Sequence, residues 1–493
     1  MFIFKKLSII ILIIFIFSIY SFIVIDRIIS EGKENYWQNV WQTNNLESFI
    51  YQNRIAYRLK ENVYQKDKNT DLIIHFDEED RIDFNIIGNY NVKDVSYIPD
   101  KENKKYGKAS ANFSLQNHKI VLVPDKKSLF SPSKDLSSFT IDFWFYPESI
   151  YENNVILSYY GPCYIKEYNK IDYAGLKIYI SQNKIIFEID YIFYIGKEPI
   201  VLTFDSNIYL EIAQWQHIAI SYNSYNGKLV FLKNGIKEKI YWLTDNGNEY
   251  GTLLNGQISE YIKNDFIIGS NIFGNLDEFH ISNNFCEEFS LSKFVQEPGE
   301  LISKVIDYKY YTSKFKKFNI DAAAENNSKI YIFARTSEEL FAPDEFRIPW
   351  VLVNNNSVLI GKYIQWKLVF YSSYSGSYTP YLYDFVYSFE PNLPPAKPKN
   401  ISYQLLGEGK VKIMWDKNIE PDIKGYLVYY GKSSRYYVSN DAKEGPSPIF
   451  TEENYIILTL PIYVDYYISV RALDNAYVYQ KSEFSDEIVV RTQ

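Results

Sequence analysis

From Asp71 onward, apolar and polar residues alternate with a period of two through much of the chain. In residues 139–146, phenylalanine and isoleucine occupy one face, while threonine, aspartate, tryptophan and tyrosine occupy the other. That is the period of a β-strand. Residues 216–242 alternate in the same way, with interruptions at Asn226-Gly227 and Asn234-Gly235. Asn-Gly between such runs favours a tight hairpin, because both central residues of the turn need positive φ. The pattern predicts a three-stranded antiparallel meander.

Four features follow one another along residues 138–282. They are an aromatic strand with Pro147 near its end, a Trp215-x-His217 strand, the Asn-Gly hairpin, and residues 274–279 with the sequence GNLDEF. This order resembles a laminin-G-like module of the concanavalin and pentraxin jelly-roll class. The strand signal at Asp71 and the run GKASANF extend the resemblance to about residues 70–290. It implies two antiparallel sheets packed face to face.

A second β-module is expected between residues 299 and 391. Several alternating strands occur there, and the pairs Gln365-Trp366 and Thr379-Pro380 lie in a pattern that resembles a small β-sandwich of extracytoplasmic bacterial proteins. The sequence EPNLPPAKPKN, which begins at Glu390, ends this module, because proline cannot continue a hydrogen-bonded ladder.

The remaining residues resemble a fibronectin type III module. Trp415 matches the core tryptophan of the second strand, and Tyr426 matches the aromatic residue of the third. Leu460 is followed six residues later by Tyr466 and a strand that ends at Ala472. The resemblance implies that Tyr466 is a tyrosine corner whose hydroxyl bonds to a nearby backbone group.

The N-terminus predicts a membrane segment. Residues 7–25 are almost entirely apolar and follow Lys5 and Lys6. At 1.5 Å per residue, a helix of this length nearly spans a hydrocarbon core of about 30 Å. We favour an uncleaved anchor over a signal peptide, because no small-residue cleavage site follows. The lysines place the short end in the cytoplasm and the bulk of the chain outside it, in the periplasm or at the cell surface.

These patterns predict an all-β chain that combines an N-terminal transmembrane helix with tandem β-sandwiches. The expected boundaries are a signal anchor at 1–27, a stalk or linker at 28–66, a laminin-G-like jelly roll at 67–298, a small β-sandwich at 299–391 and a fibronectin type III domain at 392–493.

Composition narrows the function classes. The net charge of −8 and the pI near 5.4 argue against nucleic-acid binding, which needs a basic surface. The aromatic content of 18% is high, but tyrosine and phenylalanine are abundant throughout the chain. Coding bias and aromatic ligand platforms both explain that abundance.

The search for catalytic chemistry favours a non-enzymatic protein. The four histidines are not placed at the spacing of a zinc site. Glu188 and Asp190 share one strand face, as in glycan hydrolases, but the third carboxylate of that pattern is missing. Phosphate-binding loops and nucleophile-elbow motifs are also missing from the sequence.

Two candidate sites remain in the first module. Asp277, beside Glu278, is a candidate calcium ligand, since related modules hold calcium through oxygen ligands at the rim. The alternative is that this acidic pair caps a turn. Cys163 and Cys286 could form one disulfide in an oxidising compartment if their Cα atoms lie within about 7 Å.

We therefore expect a non-enzymatic, membrane-anchored extracytoplasmic protein that acts as a binding or scaffold protein through its tandem modules. Its expected partners are the membrane, crossed by a single span, and an envelope protein or glycan. The alternative is a lectin-like, carbohydrate-binding envelope protein that binds its glycan with or without calcium. The sequence does not identify the ligand, the process served or the oligomeric state.

Overall fold

The computed structural model describes residues 27–33, 37–78 and 84–493. These residues form an all-β structure with 35 strands and one short 3₁₀ turn at Lys166–Tyr168. None of the described residues belongs to a helix long and apolar enough to cross a membrane. The predicted anchor lies outside the described residues, apart from position 27.

The first four strands lie before residue 60. They are β1 (Arg27–Ser30), β2 (Val40–Asn44), β3 (Leu46–Tyr51) and β4 (Arg54–Leu59).

The next strands span residues 70–282. They are β5 (Thr70–Ile74), β6 (Ile87–Gly88), β7 (Tyr90–Ser96), β8 (Ile98–Asp100), β9 (Ser110–Asn112), β10 (Lys119–Pro124), β11 (Phe139–Ser149), β12 (Val155–Ile165), β13 (Lys170–Ser181), β14 (Lys184–Ile195), β15 (Glu198–Tyr209), β16 (Gln216–Asn223), β17 (Lys228–Lys233), β18 (Ile236–Trp242), β19 (Asn255–Gly256), β20 (Phe266–Ile268) and β21 (Phe273–Ser282).

The last strands span residues 299–491. They are β22 (Gly299–Ser303), β23 (Ile306–Asp307), β24 (Lys314–Ala323), β25 (Lys329–Ser337), β26 (Val351–Leu352), β27 (Tyr363–Tyr371), β28 (Tyr381–Glu390), β29 (Ser402–Gly407), β30 (Lys410–Met414), β31 (Ile423–Gly431), β32 (Ile449–Thr451), β33 (Tyr455–Thr459), β34 (Asp465–Asp474) and β35 (Ile488–Arg491).

The chain divides into two compact units. One contains the described residues up to Leu59 together with Glu297–Tyr371 and Thr379–Gln493, and the other contains Lys60–Gln296 and Ser372–Tyr378. We describe each unit by itself.

The second unit is a large β-sandwich. Its eight-stranded sheet has the order β15-β14-β13-β12-β20-β10-β7, with β19 beside β14. Its nine-stranded sheet has the order β18-β17-β16-β11-β21-β5-β6, with β9 beside β21 and β8 beside β9. Side chains from both sheets form one buried core. In it, the ring centres of Phe139 of β11 and Phe187 of β14 lie 6.4 Å apart. The predicted meander is confirmed as β16-β17-β18.

The other unit contains a discontinuous sandwich that joins the N-terminal strands to later ones. One sheet has the order β1-β28-β4-β3, with β24 beside β28. The second has the order β2-β22-β27-β25-β26, with β23 beside β27. Trp366 of β27 packs edge-on against Phe385 of β28, with ring centres 5.1 Å apart, and so joins the two sheets.

The N-terminal strands correct the expected stalk or linker at 28–66. Strands β3 and β4 form a hairpin around Gln52 and Asn53, both with positive φ, and β1 pairs with β28. Only Leu46 of β3 is fully buried, because β3 is an edge strand. Because few side chains of β3 are buried, apolar and polar residues do not alternate clearly along it. The sequence of this segment therefore does not predict a strand.

The same unit contains a C-terminal sandwich with a three-stranded sheet, β29-β30-β33, and a four-stranded sheet, β32-β31-β34-β35. Trp415 and Tyr426 are buried in its core with ring centres 5.2 Å apart. Tyr466 is also buried, but its hydroxyl donates to the Asp441 carboxylate at 2.6 Å rather than to the expected backbone group. The Asp441 carboxylate takes the place of that backbone acceptor.

Candidate functional site

Asp142 lies at the centre of a buried polar network on the outer face of the nine-stranded sheet. His217 Nε2 and His280 Nδ1 lie 3.1 and 3.0 Å from its carboxylate oxygens, and the Tyr64 hydroxyl donates to one of them. Burial alone would raise the pKa of Asp142, but the hydrogen bonds from the two histidines outweigh burial and lower the pKa to about 2. Asp142 is therefore a buried anion with three hydrogen-bonding neighbours.

Glu278, on the neighbouring strand β21, bonds to the same segment around Tyr64. Its carboxylate lies 2.8 Å from His75 Nδ1 and accepts the backbone N–H of Tyr64 at 3.1 Å. Burial raises the pKa of Glu278, and the bond from His75 opposes that rise only in part. Tyr64 thus contacts both Asp142 and Glu278, so residues around position 64 are fixed to the sheet.

Asp277, the candidate calcium ligand, is fully buried. One of its oxygens accepts the Glu278 N–H at 2.9 Å, and the other accepts the N–H groups of Lys105 and Tyr106 at 2.8 and 3.1 Å. Burial, followed by the charge of Glu278, raises the pKa of Asp277. These bonds are those of a carboxylate that fixes a loop. Among the described residues, no group of three or more histidines, cysteines and acids could hold a metal, and calcium at Asp277 stays a prediction.

A cavity of about 300 Å³ lies beside this network. It is enclosed by the outer face of the nine-stranded sheet and by residues 62–67 and 284–291, and Trp144 and Tyr106 contribute aromatic surface. The neighbouring carboxylate oxygens of Asp142 and Glu278 already have partners. The network therefore fixes the walls of the cavity, and the carboxylates of Asp142 and Glu278 act as structural groups.

The two cysteines do not form a disulfide, and both are free. Cys163 is buried in the core between the two sheets. Cys286 lies on the outer face of the nine-stranded sheet, where its N–H donates to Thr140 Oγ1 and Ser221 Oγ at 3.1 and 2.9 Å. The sheet lies between the two thiols, and a disulfide requires Cα atoms within about 7 Å.

The exposed face of the eight-stranded sheet carries the second carboxylate pair. Its outward side chains form cross-strand rows, because residues opposite one another in adjacent strands lie side by side. The two central rows are Tyr160, Gly175, Asp190 and Val201, and Ser158, Lys177, Glu188 and Thr203. Glu188 and Asp190 share this face, as the strand period predicts. We call the outward side chains of β12–β15 the tyrosine–carboxylate face.

Asp190 has an unsatisfied oxygen on this face. The Tyr160 hydroxyl donates to Asp190 Oδ2 at 2.6 Å, while the buried Oδ1 has no partner and the residue is only 4% exposed. Burial, and then the charge of Glu188, raises the pKa of Asp190 to about 6. Gly175 lies between Tyr160 and Asp190, where a Cβ would be 1.9 Å from a backbone oxygen. The missing side chain lets Tyr160 reach across to Asp190.

Tyrosine rings surround these carboxylates. Tyr160 and Tyr173 stack with ring centres 5.9 Å apart, and Tyr173 is 56% exposed. The Lys177 ammonium lies 4.4 Å from the ring centre of Tyr179 and 3.6 Å from Glu188 Oε2. This face therefore presents the exposed ring of Tyr173, the part-exposed Glu188 carboxylate and the Lys177 ammonium on paired strands. Such a combination is suited to binding a polar ligand.

Sequence reasoning missed the network around Asp142. Asp142, His217 and His280 occupy outward positions on three strands, and this much follows from the period of two. Their contact depends on the register that places His217 opposite Trp144 and His280 opposite Asp142. A single sequence does not specify that register.

Comparisons with known proteins identify no family for this chain. No family model matches it, and no curated protein matches it. Domain 4 of AbnA, a GH43 extracellular arabinanase from Geobacillus stearothermophilus solved with arabinotriose, is 13% identical over 45% of this chain and 96% of its own, with a TM-score of 0.28.

Two further solved structures match shorter parts of the chain. The fn3 domain of human contactin 1 is 21% identical over 20% of this chain and 79% of its own, with a TM-score of 0.17. The heptameric SAP-like pentraxin from Limulus polyphemus is 13% identical over 31% of this chain and 68% of its own, with a TM-score of 0.19.

Proposed function

We propose that this chain is a non-enzymatic, membrane-anchored binding protein outside the cytoplasm, and that its large sandwich binds a glycan on the tyrosine–carboxylate face. The discontinuous and C-terminal sandwiches act as a scaffold that presents it. The observation that carries the proposal is the pair of cross-strand rows that hold Glu188, Asp190 and Lys177, flanked by the half-buried Tyr160 and Tyr179 and the exposed Tyr173.

The chemistry of this face matches that of a sugar. A tyrosine ring covers the apolar face of a pyranose, and its hydroxyl remains available for hydrogen bonds. Carboxylates accept hydrogen bonds from sugar hydroxyls, and Lys177 donates them. Side chains on paired strands are held more rigidly than side chains on loops, so less ordering entropy opposes binding.

The sequence resemblance supports the same proposal. Residues 138–282 resemble a laminin-G-like module, and residues from 392 onward resemble a fibronectin type III module. Modules of these kinds serve as binding and spacing units. An envelope protein is the alternative partner, and it would contact the exposed edges and loops of the sandwiches.

The test is co-sedimentation of the full chain, in detergent, with purified envelope polysaccharide. We expect saturable binding that free oligosaccharide competes away. Replacing Tyr173 by alanine removes an exposed ring from the face, and we expect at least tenfold weaker binding, which is about 1.4 kcal/mol. Tyr225→Ala is the matched control, because Tyr225 is 87% exposed in the turn between β16 and β17 of the other sheet.

The outcome of this pair of variants decides the location of the site. Equal loss of binding in both variants would refute the tyrosine–carboxylate face as the site. No saturable binding to any envelope polysaccharide, combined with capture of an envelope protein, would favour the scaffold function alone.

A further inference from the structure

The tyrosine–carboxylate face has more negative than positive groups at its centre. Glu188 and Asp190 lie two residues apart on β14, and Lys177 is the cation beside them. Lys177 Nζ lies 3.6 Å from Glu188 Oε2, and no ion pair to Asp190 occurs within the described parts of the chain. One carboxylate of the pair therefore has no cationic partner.

Among the described residues, Asp190 is the carboxylate without a cationic partner, and its Oδ1 atom also has no hydrogen bond. A buried carboxylate oxygen without a hydrogen bond is costly, since burial removes the water that would otherwise bond to it. Burial therefore favours the protonated form of Asp190, and its pKa is raised to about 6. A positive charge beside the part-exposed Glu188 would offset the repulsion between the two carboxylates.

The protein itself shows that an ammonium ion fits this environment. The Lys177 ammonium lies close to Glu188 and 5.0 and 4.4 Å from the ring centres of Tyr160 and Tyr179. An ammonium near a tyrosine ring is stabilised by cation–π attraction. Tyr173, stacked on Tyr160, offers a further exposed ring to a second ammonium from solvent.

Given the proposed glycan-binding function, on which this inference rests, we propose that the glycan carries free amino groups. Its ammonium ion contacts the part-exposed Glu188 and is the cation that the Glu188–Asp190 pair lacks. An N-acetylated or purely neutral sugar supplies hydroxyl donors but no charge, so this face discriminates against it.

The test compares two soluble trisaccharides of the same skeleton, a glucosamine trimer and an N-acetylglucosamine trimer. Binding to the full chain is measured by calorimetry at about 0.15 M salt, which screens long-range attraction to an acidic protein. We expect the amine-bearing trimer to bind at least tenfold more tightly than the acetylated trimer.

Charge-matched variants separate the site from the general charge of the protein. Glu188→Gln should reduce the preference for the amine to less than about twofold. Glu211→Gln removes the same charge from the loop between β15 and β16, where Glu211 pairs with Lys233 of the other sheet, and should retain the preference. Asp190→Asn serves if Glu188→Gln unfolds, because the amide has a similar shape and removes the negative charge that Asp190 carries above its pKa of about 6.

Each result has one meaning. Equal affinity for the two trimers, or tighter binding of the acetylated trimer, would overturn the inference and leave glycan binding standing. A preference that survives in both Glu188→Gln and Asp190→Asn would also overturn it. If no glycan of either kind binds, the proposed function fails, and the inference fails with it.

Discussion

Replacing Asp142 by asparagine should destabilise the large sandwich by about 3–5 kcal/mol at neutral pH. The pKa of Asp142 lies near 2 instead of the ordinary 3.8, which corresponds to about 2 kcal/mol of stability from its ionised form. The asparagine NH₂ group would also face a buried donor, from Tyr64 or a histidine, and an unsatisfied donor costs about 1–3 kcal/mol. The sum agrees with the about 3–5 kcal/mol typical of breaking a buried ion pair.

The effect should depend on pH in a defined direction. Because folding lowers the pKa of Asp142, its contribution is complete above about pH 4 and disappears as the pH falls through about 2. Denaturant unfolding at pH 7 and below pH 3, with hydrogen exchange to assign the transition to residues 60–296, measures both values. Glu249→Gln, in an exposed loop, is the control. A loss below 1 kcal/mol at pH 7, or an undiminished loss at pH 2, would refute this account of Asp142.

Three further predictions concern other parts of the chain. Tyr466→Phe removes the hydroxyl bond to Asp441 and should cost the C-terminal sandwich about 1–2 kcal/mol, measured by chemical denaturation. The buried guanidinium of Arg335 donates to three backbone carbonyls and lies over the Trp350 ring. Arg335→Lys removes this planar group and should increase hydrogen exchange in residues 338–350 without unfolding the rest. If Asp277 binds calcium, added calcium should raise the melting temperature; an unchanged melting temperature would mean that the carboxylate only fixes the loop through its bonds from backbone N–H groups.

Local patterns were sufficient to predict the elements of the sandwiches. The alternation in residues 216–242 and the two Asn-Gly turns specify β16-β17-β18, because period and turn chemistry act over a few residues. The resemblance to a fibronectin type III module implied that Trp415 and Tyr466 lie in a core, and both are buried. The pairing of β1 with β28 was not predictable, since it joins residues more than 350 positions apart and leaves no local signal.

The candidate site was predictable only in part. A period of two is enough to put Glu188 and Asp190 on one face. The bond from Tyr160 to Asp190 depends on the register of β12, β13 and β14, and on Gly175 between them. A sequence shows which face a side chain occupies, whereas the neighbour across the sheet depends on long-range pairing.

The discontinuous sandwich has a consequence for biosynthesis. Strands β1–β4 are made before the large sandwich, and apart from the β3–β4 hairpin their partners begin only at Gly299. At about 5–20 residues per second, roughly 10–50 s separate Leu59 from Gly299 during translation. Almost the whole of the large sandwich is synthesised in that interval. We therefore expect it to fold first, while the earliest strands wait with unpaired edges and depend on a chaperone that binds extended chains.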